Sequence, residues 1–154
     1  MLELIRQLDP EKHLILLRLY GAKAQRVLDE ATYFNTVITL DYITPTEMQY
    51  VDICVASLMP AWNHVCVPSK VVGAICRGLP VLYNANEESE GACMFQKAVW
   101  LLPDSIDQPE AISDFLSTLS MDDILQKKEA AGRYAQELMT NERSCYSNLL
   151  KIIG

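Results

Sequence analysis

Short β-rich runs alternate with helical segments along this sequence. That order predicts an α/β protein with a Rossmann-like, doubly wound parallel sheet of about five strands. Two further observations support the class. The first strand-like run is apolar along most of its length, as a strand covered on both faces is. From Pro109 onward only helices are signalled, which predicts closing helices at the C-terminal end. No internal repeat, low-complexity tract or composition shift divides the 154 residues, so residues 1–154 read as one domain. A chain of that length buries roughly 70% of the surface it exposes when unfolded.

Each element has its own local reason. Residues 2–8 are apolar at helical spacing and stop at Asp9-Pro10. Residues 13–20 (HLILLRLY) read as a strand buried on both faces, ending at Gly21. Residues 22–31 are helical in propensity, and the β-branched run 36–40 (TVITL) is a second strand. Thr44-Pro45-Thr46-Glu47 carries a helix start: a Thr cap, Pro at the first helical position and Glu at the third. The helix is short, because residues 51–58 (VDICVASL) are again strand-like. A helix starting at Pro68 or Ser69 is stopped by Gly78 and followed by a strand at 79–83 (LPVLY). A polar turn at 84–88, a helix at 89–98 and a last strand at 99–102 follow, closed by Pro103-Asp104. Three helices are predicted beyond, at 109–119, 122–139 and 141–153, with Asn141 as cap of the last.

Composition narrows the function classes. Half the residues are hydrophobic and 21% are charged, too apolar a chain to remain disordered. No stretch approaches the ~20 apolar residues of a membrane span, and the first ten residues lack the cationic start of a signal peptide. A cytoplasmic protein is therefore expected. Twenty acids against 13 bases leave a net charge of −7, which argues against a nucleic-acid partner, since binding phosphates needs a cationic face. The five cysteines are widely spaced and form no C-x-x-C, so neither a zinc knuckle nor a disulfide framework is signalled. His13 and His64 have no carboxylate or cysteine at metal-ligand spacing, and no metal site is expected.

Neither a dinucleotide fingerprint nor a P-loop occurs. The candidate site residues lie instead in segments that follow strands, where open α/β sheets bind ligands. His64 falls in the loop MPAWNHVC, either as a ligand contact or as a solvated histidine. Pro68-Ser69-Lys70 opens a helix after a strand-end loop and offers a hydroxyl, a cation and unpaired N–H groups, a combination suited to a diphosphate. A capped helix with one surface lysine fits the same residues. The run Asn86-Glu87-Glu88-Ser89-Glu90 opens the next helix, either as acids stabilising its start or as a loop contacting sugar or ribose hydroxyls.

Residues 51–90 carry, in order, VDICVASL, VPSK, GLPVL and Ser89-Glu90. This series resembles the C-terminal, donor-binding domain of GT-B glycosyltransferases, especially the family-4-like branch. The resemblance implies a bound UDP- or GDP-sugar, its diphosphate near Ser69, Lys70 and Ser89. Asn86, Glu90 and His64 would contact the sugar or ribose, and the loop at Tyr42 and Ile43 the nucleobase. It implies a transfer that needs neither metal nor cofactor, since helix dipoles and basic side chains stabilise the leaving diphosphate. It assigns no catalytic base.

The family's first strand and N-terminal acceptor domain have no counterpart in the sequence. That domain, a partner subunit or a second copy in a homodimer is therefore the expected partner. In the strand order 3-2-1-4-5-6 the first strand is central, so its neighbours are expected to pair directly or to be covered by another chain. The two glutamates common in such domains fall at Val65 and Gly73. Their loss motivates the alternative, a degenerate, non-catalytic α/β module that binds a partner protein.

Overall fold

The structure, a computed structural model, describes residues 2–17, 24–40, 43–58, 60–62, 64–65, 67–102 and 108–153. The chain divides into two compact units, residues 1–51 with 108–118, and residues 52–107 with 119–154.

In the first unit, strand β1 (Ile15–Leu17) pairs in parallel with β2 (Val37–Thr39), and helix α2 (Ala24–Ala31) lies between them in the chain. Helix α1 (Leu2–Gln7) packs on α6 (Pro109–Thr118), where Gln7 Nε2 donates to Glu110 at 2.9 Å. Ile5, Leu17 and Ala31 form the core, with Leu2, Ile15, Leu28, Phe34 and Val37 packed against them. Among residues 13–17, the described part of the expected strand 13–20, the expected two-sided burial is not found. Leu14 is 65% exposed, and Ile15 and Leu16 are only half-buried, because the pair has few neighbours to cover it. Helix α3 (Pro45–Met48) starts as the sequence predicts. Glu47 N–H donates to Thr44 Oγ1 at 3.1 Å, and Glu47 Oε2 accepts from Thr44 N–H at 2.6 Å, a complete capping box.

The second unit holds a three-stranded parallel sheet in the order β3-β4-β5: Cys54–Ser57, Val81–Asn84 and Val99–Leu101. A 3-10 turn at Pro60–Trp62 and helix α4 (Ser69–Ile75) connect β3 to β4, and α5 (Glu90–Phe95) connects β4 to β5. The long α7 (Met121–Ile153) completes the unit. Strand β4 is the middle strand, and all four of its residues are buried. Lys127 Nζ donates to the Val99 carbonyl at 3.1 Å and Tyr134 Oη to that of Met94 at 2.6 Å, while Lys128 pairs with Asp52 at 2.8 Å. These bonds, with an edge-on contact between the Phe95 and Tyr134 rings, hold α7 in place.

Two glycines are required by geometry. Gly78 has φ +71°, where a side chain is strained. In that conformation Gly78 and Leu79 return their N–H groups to the carbonyls of Ile75 and Ala74, closing α4 and turning the chain into β4. At Gly91 a Cβ would lie 2.8 Å from Tyr83 Oη and 3.1 Å from its ring, which is fully buried and has no room to retreat.

The α/β class stands, and the expected strands are present. The single five-stranded sheet is replaced by two parallel sheets of two and three strands. Among the described residues β1 pairs with β2 and β3 with β4, and the direct pairing expected across the gap is not seen. Asn141 caps no helix, since α7 runs through it. No Gly or Pro falls at 139–142, so nothing in the backbone interrupts the helix there. Strand β4 lies later than expected, at Val81–Asn84 in place of 79–83, which moves Asn84 from a turn into the sheet.

Two glycine substitutions separate crowding from propensity. Gly91→Ala should lower stability by about 1–2 kcal/mol, because the clash with Tyr83 outweighs the gain in helix propensity. Gly132→Ala, in α7 with nothing within 4 Å of the new Cβ, should raise it by about 0.5–1 kcal/mol. Urea unfolding of both variants against the parent measures the contrast.

Acid should weaken the helix caps. Hydrogen bonds from the Thr44 backbone and side chain hold the Glu47 carboxyl below its ordinary range, and those from the Ser120 side chain and backbone do the same for Asp123. A depressed carboxyl favours folding above its ordinary pKa, and that contribution is lost as pH falls through the folded value. The thermal midpoint should therefore be flat near neutrality and fall below about pH 4. Part of that fall should vanish in Glu47→Gln, followed by circular dichroism.

Candidate functional site

The candidate site is built from the segments that follow β3 and β4. These strands are in register, with Ser57 opposite Asn84, and the Leu58 N–H donates to the Asn84 carbonyl at 2.9 Å. Their carboxyl ends are therefore adjacent. One continuation carries His64 and the start of α4, and the other carries Asn86 and the start of α5.

The sequence-predicted residues divide into exposed groups and engaged ones. His64, Ser69 and Lys70 are exposed, and among the described residues none has a side-chain hydrogen bond or ion pair. Pro68 caps α4 without a side-chain bond. Ser89, by contrast, is fully buried, and its Oγ accepts from the Ala92 N–H at 3.2 Å as the cap of α5. Asn86 is half-buried, its Oδ1 accepts from the Glu88 N–H at 2.8 Å, and its carbonyl accepts from the Ser89 N–H. Glu90 is exposed at the first position of α5. Ile43 is half-buried and belongs to the other compact unit, and Tyr42 lies outside the described residues.

The two positions where the resemblance would place glutamates are Val65, 69% exposed, and Gly73. Gly73 is in α4, and its carbonyl accepts from Arg77 Nη1 at 2.7 Å.

Asn84 carries no role in the sequence-level reading, yet it is the most unusual polar side chain of the unit. It is 1% exposed, and neither Oδ1 nor Nδ2 has a hydrogen-bond partner among the described residues. The available sequence signal was a polar residue directly after an apolar strand core. It was hidden because Asn84-Ala85-Asn86 reads equally well as a turn.

Other chemistry is limited. Among the described residues no group of three His, Cys, Asp or Glu side chains could hold a metal ion, and no helix is long and apolar enough to cross a membrane. A depression of about 260 Å³ lined by Trp100, Asp123, Gln126, Lys127 and Ala130 contains none of the sequence-predicted residues. Its lysine is committed to the Val99 carbonyl and sits 5.4 Å from the Trp100 ring centre. Burial pushes the Cys54 thiol up to about 11, with Arg77 pulling slightly the other way, so β3 carries no reactive thiolate. No family model matches this chain, and no curated protein or solved structure matches it.

Thiol accessibility checks this arrangement. Cys76 and Cys93 are exposed, whereas Cys54 is half-buried. Iodoacetamide at pH 8 should modify Cys76 and Cys93 in the folded protein and Cys54 only after denaturation, as read by peptide mass mapping.

Proposed function

We propose that this chain supplies the nucleotide-sugar-binding part of a GT-B-type glycosyltransferase. It holds a UDP- or GDP-sugar for transfer to an acceptor such as a glycan or a lipid-linked sugar. What supports the reading is the adjacency of the β3 and β4 carboxyl ends, since the VPSK and Ser89-Glu90 segments of the motif series follow those two strands. Ser69 and Lys70 have their hydroxyl and ammonium in solvent, where a diphosphate can meet them without breaking an existing bond. Lys70 then stabilises the charge that develops on the leaving diphosphate, a role that requires no metal. Asn86 and Glu90 serve the sugar or ribose from the second segment. Ser89 contributes through its position as the cap that orders this turn. The acceptor site comes from another domain or subunit.

One observation favours a second reading, a non-catalytic module that binds a partner protein. The Ser89 hydroxyl is buried and spent on its own helix, so one of the three diphosphate groups of the first reading is not free.

Isothermal titration with UDP, GDP, UDP-glucose and GDP-mannose distinguishes the two. The first reading expects binding by at least one, and silence from all four with folded protein overturns it. Lys70→Ala should then weaken the binding by about 1.5–3 kcal/mol, the value of a hydrogen bond to a charged group, with folding unchanged.

A further inference from the structure

We propose that the Asn84 side chain is a ligand-reading group that recognises a vicinal diol. The inference rests on the nucleotide-sugar reading above and assigns its polyhydroxyl contact to a residue outside the motif series. Both polar atoms of the amide are buried and unpartnered among the described residues, at the carboxyl end of the middle strand. A buried donor or acceptor left unpaired keeps its full desolvation cost, so an amide with both unpaired is a poor structural element. Gln7 is the instructive contrast, because only its Oε1 is unpartnered while Nε2 is bonded to Glu110.

The chemistry of the amide selects its occupant. Oδ1 needs a donor and Nδ2 needs an acceptor, side by side on one planar group. A phosphate or carboxylate offers acceptors only and leaves Oδ1 unpaired. A cation satisfies Oδ1 alone, and an apolar group satisfies neither. A vicinal diol offers a donating and an accepting hydroxyl at neighbouring carbons and satisfies both. Two sources carry this group in the proposed ligand, the ribose and the transferred sugar. Asn84 is 1% exposed, so a diol reaches it only by displacing what covers it, an induced fit.

The test combines the stability of the free protein with titration. Asn84→Val keeps a strand-compatible side chain and removes the unpaired atoms, so it should raise the thermal midpoint of the ligand-free protein by about 3 °C or more. A lower midpoint would mean that the amide has a structural partner, and would overturn the proposal. Should valine overpack and prevent folding, Asn84→Ala replaces it in the titrations, which then decide alone.

In titration, the variant should bind at least tenfold more weakly. A loss confined to UDP-glucose or GDP-mannose places the diol on the transferred sugar. A loss shared with UDP or GDP, but absent when the parent and the variant are compared on the 2′-deoxynucleoside diphosphate, places it on the ribose. Unchanged affinity, or a loss that persists in full on the 2′-deoxy compound, overturns the role of Asn84 and leaves the nucleotide-sugar reading standing. Failure of the parent protein to bind any of these probes overturns both.

Discussion

Much of the larger unit depends on the burial of one short strand. β4 lies between two parallel neighbours, and its four residues are buried, with Tyr83 fully enclosed and Asn84 almost so. Val81 and Leu82 each contribute roughly 1.5–3 kcal/mol by leaving water, which is what holds the sheet together. The same enclosure constrains its surroundings. The Tyr83 ring admits only a glycine on the face of α5 it touches, and the tight left-handed exit from α4 at Gly78 brings the chain into the strand. It also deprives Asn84 of solvent, which makes an ordinary amide an energetic liability unless something pairs with it.

The candidate site inherits its character from this arrangement. Groups on the segments beyond the strand ends fall into two kinds. His64, Ser69, Lys70 and Glu90 stand in water and are free to meet an anion or a hydroxyl. Asn86 and Ser89 are engaged in building the turn that begins α5. The buried Asn84 is a third kind, polar and enclosed but unengaged.

Much of the fold was legible from local pattern. The Thr44–Glu47 capping box, the stop at Gly78 and the start of α6 at Pro109 were readable because capping, turn and proline chemistry act over four or five residues. The site was legible in part. Strand-end segments singled out His64, Ser69 and Lys70, which stand in solvent, whereas Ser89, offered for the diphosphate by the resemblance, is buried as the cap of its own helix. Whether a serine at a helix start caps that helix or faces a ligand depends on one rotamer and on the space around it. Asn84 was missed because a shift of the strand at its carboxyl end decides between a turn residue in solvent and a sheet residue in the core.

The sequence by itself determined the α/β class and the alternation of strands and helices. Each of these follows from side-chain periodicity or backbone preference within a few neighbouring residues. Only the tertiary structure decided that five parallel strands fall into two sheets, that β1 is only partly covered, and that one asparagine is shut away from water. Sheet membership and burial depend on residues far apart in the chain meeting across strand edges, and local periodicity carries no record of which edges meet.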